Sequence, residues 1–535
     1  MREADTRGER LRNGVVLGIV LVALGLALAP KLKEWSGSAK ATPARLDLAA
    51  EPMPFPRPVS EPQDHLPAAP PLPETVAFEL DLQRAFFAGD FARFDAAMHA
   101  AREDFFSGRS EFNRAVSVVE RIGENQLAGI DRCAEWLQAM PESYVAHWTC
   151  GAIWTDGAWA ARGRGFAHEV AAARFILMEE RLERATVLLA RALELSPQPL
   201  EALIEQARNH FAAGRTREAE DLLQRAERIR PAYWDIHWTR LNYAQPQWYG
   251  SAEAIQAALA RARQAGVQES VLLDMEDSYV ARPWKNSTPG AEHAYWEAAI
   301  AKHPTRARLT GLLNDFIRLE NWHEALPVAN RLIEDYPDDS KAYYQRARTQ
   351  QAMGRIEAAR EDYRMAAAMG HELALQELIM AHIGGGLGLP KSFPDVLPLC
   401  RYGAALGSGV GANCLGAIHF EGGQHGVPLP KDLPQSLAWH LLGARAGHFN
   451  SQYDLGWLLY TGRGAGVDAK TGERHGIFWL RRAAEQNQTF AKRKLEELGI
   501  SPSESRQSGI LGGLNIGAFL EPWFGALEHL RDMLN

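Results

Sequence analysis
Three tryptophans, Trp148, Trp154 and Trp159, lead directly into two arginines, Arg162 and Arg164. Indole faces attract guanidinium groups, and a guanidinium held beside them can bind an anion or stack on a ring. Trp154, Trp159, Arg162 and Arg164 are therefore the residues best suited by type and spacing to touch a ligand or partner. The competing reading is structural, with indoles filling a core and arginines capping helix ends. That is the commoner use of both residue types.

No other constellation in the chain calls for chemistry. It contains no H-E-x-x-H, G-x-S-x-G or Walker A motif, and no G-x-G-x-x-G between a strand and a helix. His168-Glu169 lacks a second histidine four residues on. His371, His419, His425, His440 and His448 share one region but not the regular spacing or the acidic or thiolate companions of a metal site, so they read as surface or capping residues. Gly386, Gly388, Gly423 and Gly426 have no Lys-Ser/Thr directly after a glycine and no strand before them, so they form no phosphate cradle. The chain is read as not an enzyme, with no catalytic, cofactor or metal site. Cys133, Cys150, Cys400 and Cys414 are too few and too irregular for a disulfide framework. They are expected to be buried free thiols. Pairing of Cys133 with Cys150, or of Cys400 with Cys414, is the alternative in an oxidising compartment. A net charge of -8, with no Lys/Arg run interleaved with aromatics, gives no reason to expect nucleic acid.

Helices must position these residues, because no sustained β-alternation occurs anywhere. Ala185, Leu189, Ala192 and Pro197 recur 34 residues later as Ala219, Leu223, Ala226 and Pro231. The alanines lie seven residues apart on one helical face, where two antiparallel helices approach closely, and the proline stops the helix. Ala325 and Ala359 repeat the same offset, with Gly354 in the turn of the second unit. A second period of 40 residues carries Leu415, Gly416, Phe420, Gly422, Trp439, Ala444 and Gly447 onto Leu455, Gly456, Tyr460, Gly462, Trp479, Ala484 and Asn487. Trp439 and Trp479 occupy its packing position. Fixed periods of this length predict a solenoid of stacked helical pairs.

The A-x6-A-x4-P pattern resembles the tetratricopeptide repeat. The L-G, G-x-G, W, A-A, G signature resembles the SLR (Sel-like) repeat. Residues 77–286, with the W-x-x-R-G element at Trp159 and the WYGS phrase at Trp248, resemble a bacterial domain of unknown function. These resemblances imply a bacterial helical scaffold that binds other proteins along its concave face. A small-ligand or enzymatic domain at 77–286, with accessory repeats, is the alternative.

Residues 14–29 are uninterrupted apolar or small, and 14–32 read as a transmembrane anchor. At about 1.5 Å per residue the apolar run reaches roughly 24 Å, close to a bilayer core of about 30 Å. Arg2, Arg7, Arg10 and Arg12 precede it, which favours a cytoplasmic tail over 1–13 and a periplasmic body. The body facing the cytoplasm is the alternative. A cleaved signal is disfavoured by Pro30 after the only small-residue site, and a soluble helix by the lack of a polar face. Residues 33–76 hold ten of the 29 prolines and read as an extended spacer. A helical domain (77–290), tetratricopeptide-like repeats (291–369) and SLR units (370–498) follow, all α. Residues 499–535 read as a linker and an amphipathic capping helix, with Ile516, Phe519, Leu520, Trp523 and Leu527 on its apolar face.

Overall fold
The computed structural model describes residues 47–59, 65–67, 70–163, 170–248, 250–280, 291–422, 429–464 and 466–501. Among these residues there are 23 helices and no strand. The chain divides after Leu48 into two compact units, and every one of these helices lies in the second. The expected anchor over 14–32 and the apolar face at 516–527 fall outside the described residues. Among the described residues, no helix is long and apolar enough to cross a membrane.

The 34-residue period becomes successive helical hairpins. Helices α6 (Ala172–Leu195), α7 (Leu200–Ala212) and α8 (Thr216–Ile229) bury Ala185, Ala192, Ala219 and Ala226 completely, while Pro197 and Pro231 lie just past the ends of α6 and α8. Helices α13 (Arg306–Arg318), α14 (Trp322–Asp335), α15 (Ser340–Ala352) and α16 (Ile356–Ala368) do the same with Ala325 and Ala359. The units at 185 and 325 lack a turn glycine for different reasons. Position 180 is inside the unbroken α6, where there is no turn. Position 320 does turn, and Glu320 takes φ 55 there, whereas Gly354 takes φ 74 one period later. A non-glycine side chain in this left-handed region costs about 1 kcal/mol. Glu320→Gly is therefore expected to raise the stability of this hairpin by about 0.5–1 kcal/mol, read as a higher unfolding midpoint in denaturant. A lower midpoint would show that the Glu320 side chain contributes more than its backbone costs.

The 40-residue period builds α17 (Glu372–Gly384), α18 (Phe393–Ala405), α19 (Gly409–Glu421), α20 (Leu433–Arg445), α21 (Phe449–Tyr460), α22 (Ala469–Glu485) and α23 (Thr489–Glu497). Gly416 and Gly456 allow close crossings: a Cβ would lie 2.7 Å from the His440 ring at Gly416 and 2.9 Å from Leu480 N at Gly456. Trp439 and Trp479 are buried. Two of the histidines cap helices. His371 Nδ1 accepts from Ala374 N at 3.3 Å, and His448 Nδ1 accepts from Ser451 N at 3.3 Å. A protonated Nδ1 could not accept, and burial lowers both pKa values, that of His371 to about 4. His419 and His440 are buried rather than on the surface, and His425 lies outside the described residues.

The cysteine expectation is corrected: no free thiol is present among the described residues. Cys133 on α4 (Ile130–Ala139) pairs with Cys150 on α5 (Tyr144–Arg162), and Cys400 on α18 pairs with Cys414 on α19. Each pair staples two adjacent helices, with Cα atoms 5.6 and 5.7 Å apart. Antiparallel packing brings opposite each other positions whose spacing along the chain looks irregular. Loops of this length correspond to about 3 kcal/mol of stabilisation each.

The first helices pack onto the last repeats. Helices α1 (Glu74–Ala88) and α3 (Arg114–Glu124) lie along a row of helix C-termini, whose final carbonyls have no partner within their own helices. Arg121 Nη1 donates to Met369 O (3.1 Å), Gln83 Nε2 to Leu406 O (2.8 Å) and Leu127 N to Arg445 O (3.0 Å). At the same three turns, Gly370, Gly407 and Gly447 adopt positive φ and face Leu80, Phe87 and Gln126. One apolar cluster joins Phe86, Ile122 and Trp136 to Leu441, Leu455 and Trp479. A second joins Val76 and Leu80 to Tyr363, Leu399 and Trp439.

Residues 47–59 of the proline-rich stretch do not stand free. Arg445 holds Ala49 O (2.8 Å) and Glu51 O (3.0 Å), and Arg474 pairs with Glu51 (2.7 Å). Gln435 reads the backbone from both sides, accepting from Val59 N (2.9 Å) and donating to Arg57 O (3.2 Å). Met53 and Phe55 pack on the first apolar cluster.

Candidate functional site: an acidic pit beside an aromatic cleft
Helix α5 carries Trp148, Ala152, Asp156 and Trp159 at spacings of four, four and three, so they form one stripe. Helix α7 faces it with Glu201, Glu205 and Arg208, also at spacings of four and three. Glu120 comes from α3, and Tyr233 and Asp235 come from the start of α9 (Trp234–Tyr243). Between them is a cavity of about 80 Å³. Asp156 can approach α3 because position 123 is glycine, where a Cβ would lie 2.0 Å from its Oδ2.

Two arginines neutralise part of the pit. Arg102, on α2 (Phe91–Phe106), grips Glu201 with two bonds of 2.8 and 3.0 Å. Asn113 and Tyr144 each donate a further bond of 2.8 Å to Glu201. Arg102 and Glu201 are 8% and 4% exposed, so this is a buried, fully satisfied pair. Arg208 pairs with Glu205 at 2.7 Å and with Asp235. Asp156, and Glu120 at the exposed mouth, have no hydrogen-bond or ion-pair partner among the described residues. Burial, and then the neighbouring Glu205 carboxylate, push Asp156 up to about 7.

Arg208 also lines a second cavity, of about 270 Å³, with Trp159, Trp238, Tyr243 and Trp248. Trp159 meets Trp248 edge-on with ring centres 5.5 Å apart, and Tyr243 lies 5.6 Å from Trp248. The guanidinium of Arg162 sits 5.9 Å from the Trp159 ring centre, 5.8 Å from Trp248 and 5.7 Å from Phe175. The turn after α9 is tight, since a Cβ on Gly250 would lie 1.8 Å from Ala244 O.

Of the four residues singled out from sequence, Trp159 and Arg162 come together at the cleft. Trp154 points elsewhere, packed on the first apolar cluster beneath Arg184 at 4.7 Å. Arg164 lies outside the described residues. Sequence reasoning missed Asp156, Glu201, Glu205, Arg208 and Asp235. The available signal was LEALIEQAR, in which three charges occupy one face of a helix whose other faces are also apolar. Among the described residues, no three His, Cys, Asp or Glu side chains gather as metal ligands.

A family model described as a domain of unknown function (DUF4034) matches residues 80–228, and a tetratricopeptide repeat model matches 328–361. Among solved structures, the chain is similar to c5321, a protective antigen of uropathogenic Escherichia coli strains with an SLR fold. Identity is 15%, coverage 76% of this chain and 84% of that one, and the TM-score 0.35. It is also similar to a Sel1 repeat protein from Oxalobacter formigenes, at 16% identity, 68% and 90% coverage and a TM-score of 0.30. No curated protein matches the chain. The chain thus resembles tetratricopeptide and SLR repeat proteins, with an N-terminal region like a domain of unknown function.

Proposed function
We propose that this chain is a protein-binding scaffold of the bacterial envelope. Residues 14–32 would anchor it in the inner membrane, with the helical body in the periplasm. The stacked hairpins support the binding role, because such repeats present long ordered surfaces to other proteins. The observation that carries the compartment is the pair of hairpin-spanning disulfides, which persist in oxidising surroundings and are rare in the cytosol. The row of helix C-termini at Met369, Leu406 and Arg445 is already covered by α1, α3 and the turn that follows α3. A partner is therefore better placed at the cleft around Trp159, Trp238 and Trp248.

Protein purified from membranes into denaturant without reductant is expected to titrate no free thiol, and four after reduction. Thiols reactive before reduction would move the body to the cytoplasm. Crosslinked capture from native membranes should lose its partner with Trp238→Ala in the full chain. An unchanged partner list from a folded Trp238→Ala protein would remove the cleft from the reading.

A further inference from the structure
The pit holds more acid than it neutralises. From α3 come Glu120 and, nearby, Glu124; from α5, Asp156; from α7, Glu201 and Glu205; and from α9, Asp235. Against them stand Arg102, already spent on Glu201, and Arg208, already spent on Glu205 and Asp235. A second observation is independent of charge. Tyr233 is only 7% exposed and lines the pit, yet its hydroxyl has no hydrogen-bond partner among the described residues. It faces Asp235, Glu201 and Glu120, which with burial raise its pKa. The hydroxyl is open to the pit, so a polar group entering there can complete it.

We propose that the pit binds an organic cation: the guanidinium or ammonium head of an arginine or lysine side chain presented by a partner protein. This rests on the scaffold reading and specifies the chemistry of the partner. The pit's volume of about 80 Å³ suits a single head group. Metabolite pockets are larger, at about 300 Å³ or more. A cation there gains the unpartnered carboxylates of Asp156 and Glu120, and charge-assisted hydrogen bonds are roughly twice as strong as neutral ones. Arg208 lines both cavities, so the ligand's neighbouring residue lies against Trp159, Trp238 and Trp248. Indole faces suit an apolar or aromatic residue there. At neutral pH Asp156 is partly protonated, and the incoming cation displaces that proton. Burial, and then Asp235, push Glu120 up to about 7 as well, so affinity rises between about pH 6 and 8 as the Asp156 and Glu120 carboxylates ionise in the free protein.

The test is calorimetric titration of the full chain with an acetylated, amidated Trp-Arg dipeptide. Its citrulline counterpart serves as a neutral control, and spermidine represents a free amine. Binding of the arginine peptide about tenfold or more tighter than the citrulline peptide, with proton release at pH 7, is expected. Asp156→Asn, which matches the shape of the half-protonated acid, should weaken it by about tenfold and reduce the proton release, leaving the part contributed by Glu120. Spermidine binding tighter than the peptide would support the same site chemistry with a free amine as the source. Equal affinity for arginine and citrulline peptides, or no binding by either peptide or spermidine, would overturn the proposal. Its failure is separable from that of the scaffold reading. Capture from membranes that survives in Asp156→Asn but is lost in Trp238→Ala would keep a protein partner while removing the cation.

Discussion

Replacing Gly407 with alanine is expected to detach α1 from the repeats. Two costs coincide at this residue. Its φ is 74, a region where an L side chain costs about 1–2 kcal/mol. Its new Cβ would also lie 2.2–2.6 Å from three atoms of the Phe87 ring. That ring cannot simply swing aside, because it is 8% exposed and packs edge-on to Phe86 with centres 5.2 Å apart. Overpacking of this kind typically costs about 1–3 kcal/mol. The sum, about 2–5 kcal/mol, falls on one interface, so the readout is local. Amide hydrogen exchange in Glu74–Ala88 should accelerate by roughly one to four orders of magnitude, at about 1.4 kcal/mol per tenfold, while α13 to α15 keep their protection. The equivalent turn one unit past the docked row provides the control. Asn487 takes φ 66 there, and Asn487→Gly should be neutral or slightly stabilising. Unchanged exchange in α1 of Gly407→Ala would refute the account of this contact.

Arg102→Ala should be the most damaging single truncation in the N-terminal domain. It removes both bonds to Glu201 and leaves a buried carboxylate supported only by Asn113 and Tyr144. Breaking such a pair from one side costs about 3–5 kcal/mol. The guanidinium also lies 4.1 Å from the Tyr144 ring centre, so packing is lost as well. Pairing Arg102→Met with Glu201→Gln removes both charges. With the amide oxygen at the Oε1 position it still accepts from Asn113, and the amide nitrogen can donate to the Tyr144 hydroxyl, so most of the loss should return. Denaturant midpoints of the single and double variants measure the difference. A double variant no more stable than Arg102→Ala would show that packing, not stranded charge, dominates.

The hairpins were legible because each repeat must place a small residue at every close crossing. Ala185 and Ala219, or Gly416 and Gly456, therefore advertise the contact at a fixed period. The docking of α1 on α18 was not legible. A glycine at positive φ ends a helix whether or not something lies against it, so Gly407 and Gly447 look like ordinary turns. The one sign was the change to Asn487, where the backbone is still left-handed but the docked helices have ended. The disulfides were hidden by unequal spacings of 17 and 14 residues. The pit was hidden because charges four and three apart read as a solvated face. Only the partners of α7, on α5 and α3, turn Glu201 and Glu205 inward.

The bond from Gln83 to Leu406 O joins residues 323 apart in the chain. During synthesis at about 5–20 residues per second, the apolar face of α1 waits roughly 20–60 s for the repeat that will cover it. Most repeat proteins avoid this delay, since each unit is covered by the next one made. Here Leu80, Phe86 and Phe87 emerge among the first helices and find their repeat partners among the last. Phe86 meets Phe94 and Trp136 early, but the repeat-facing side of α1 stays open to other chains until the last units are made.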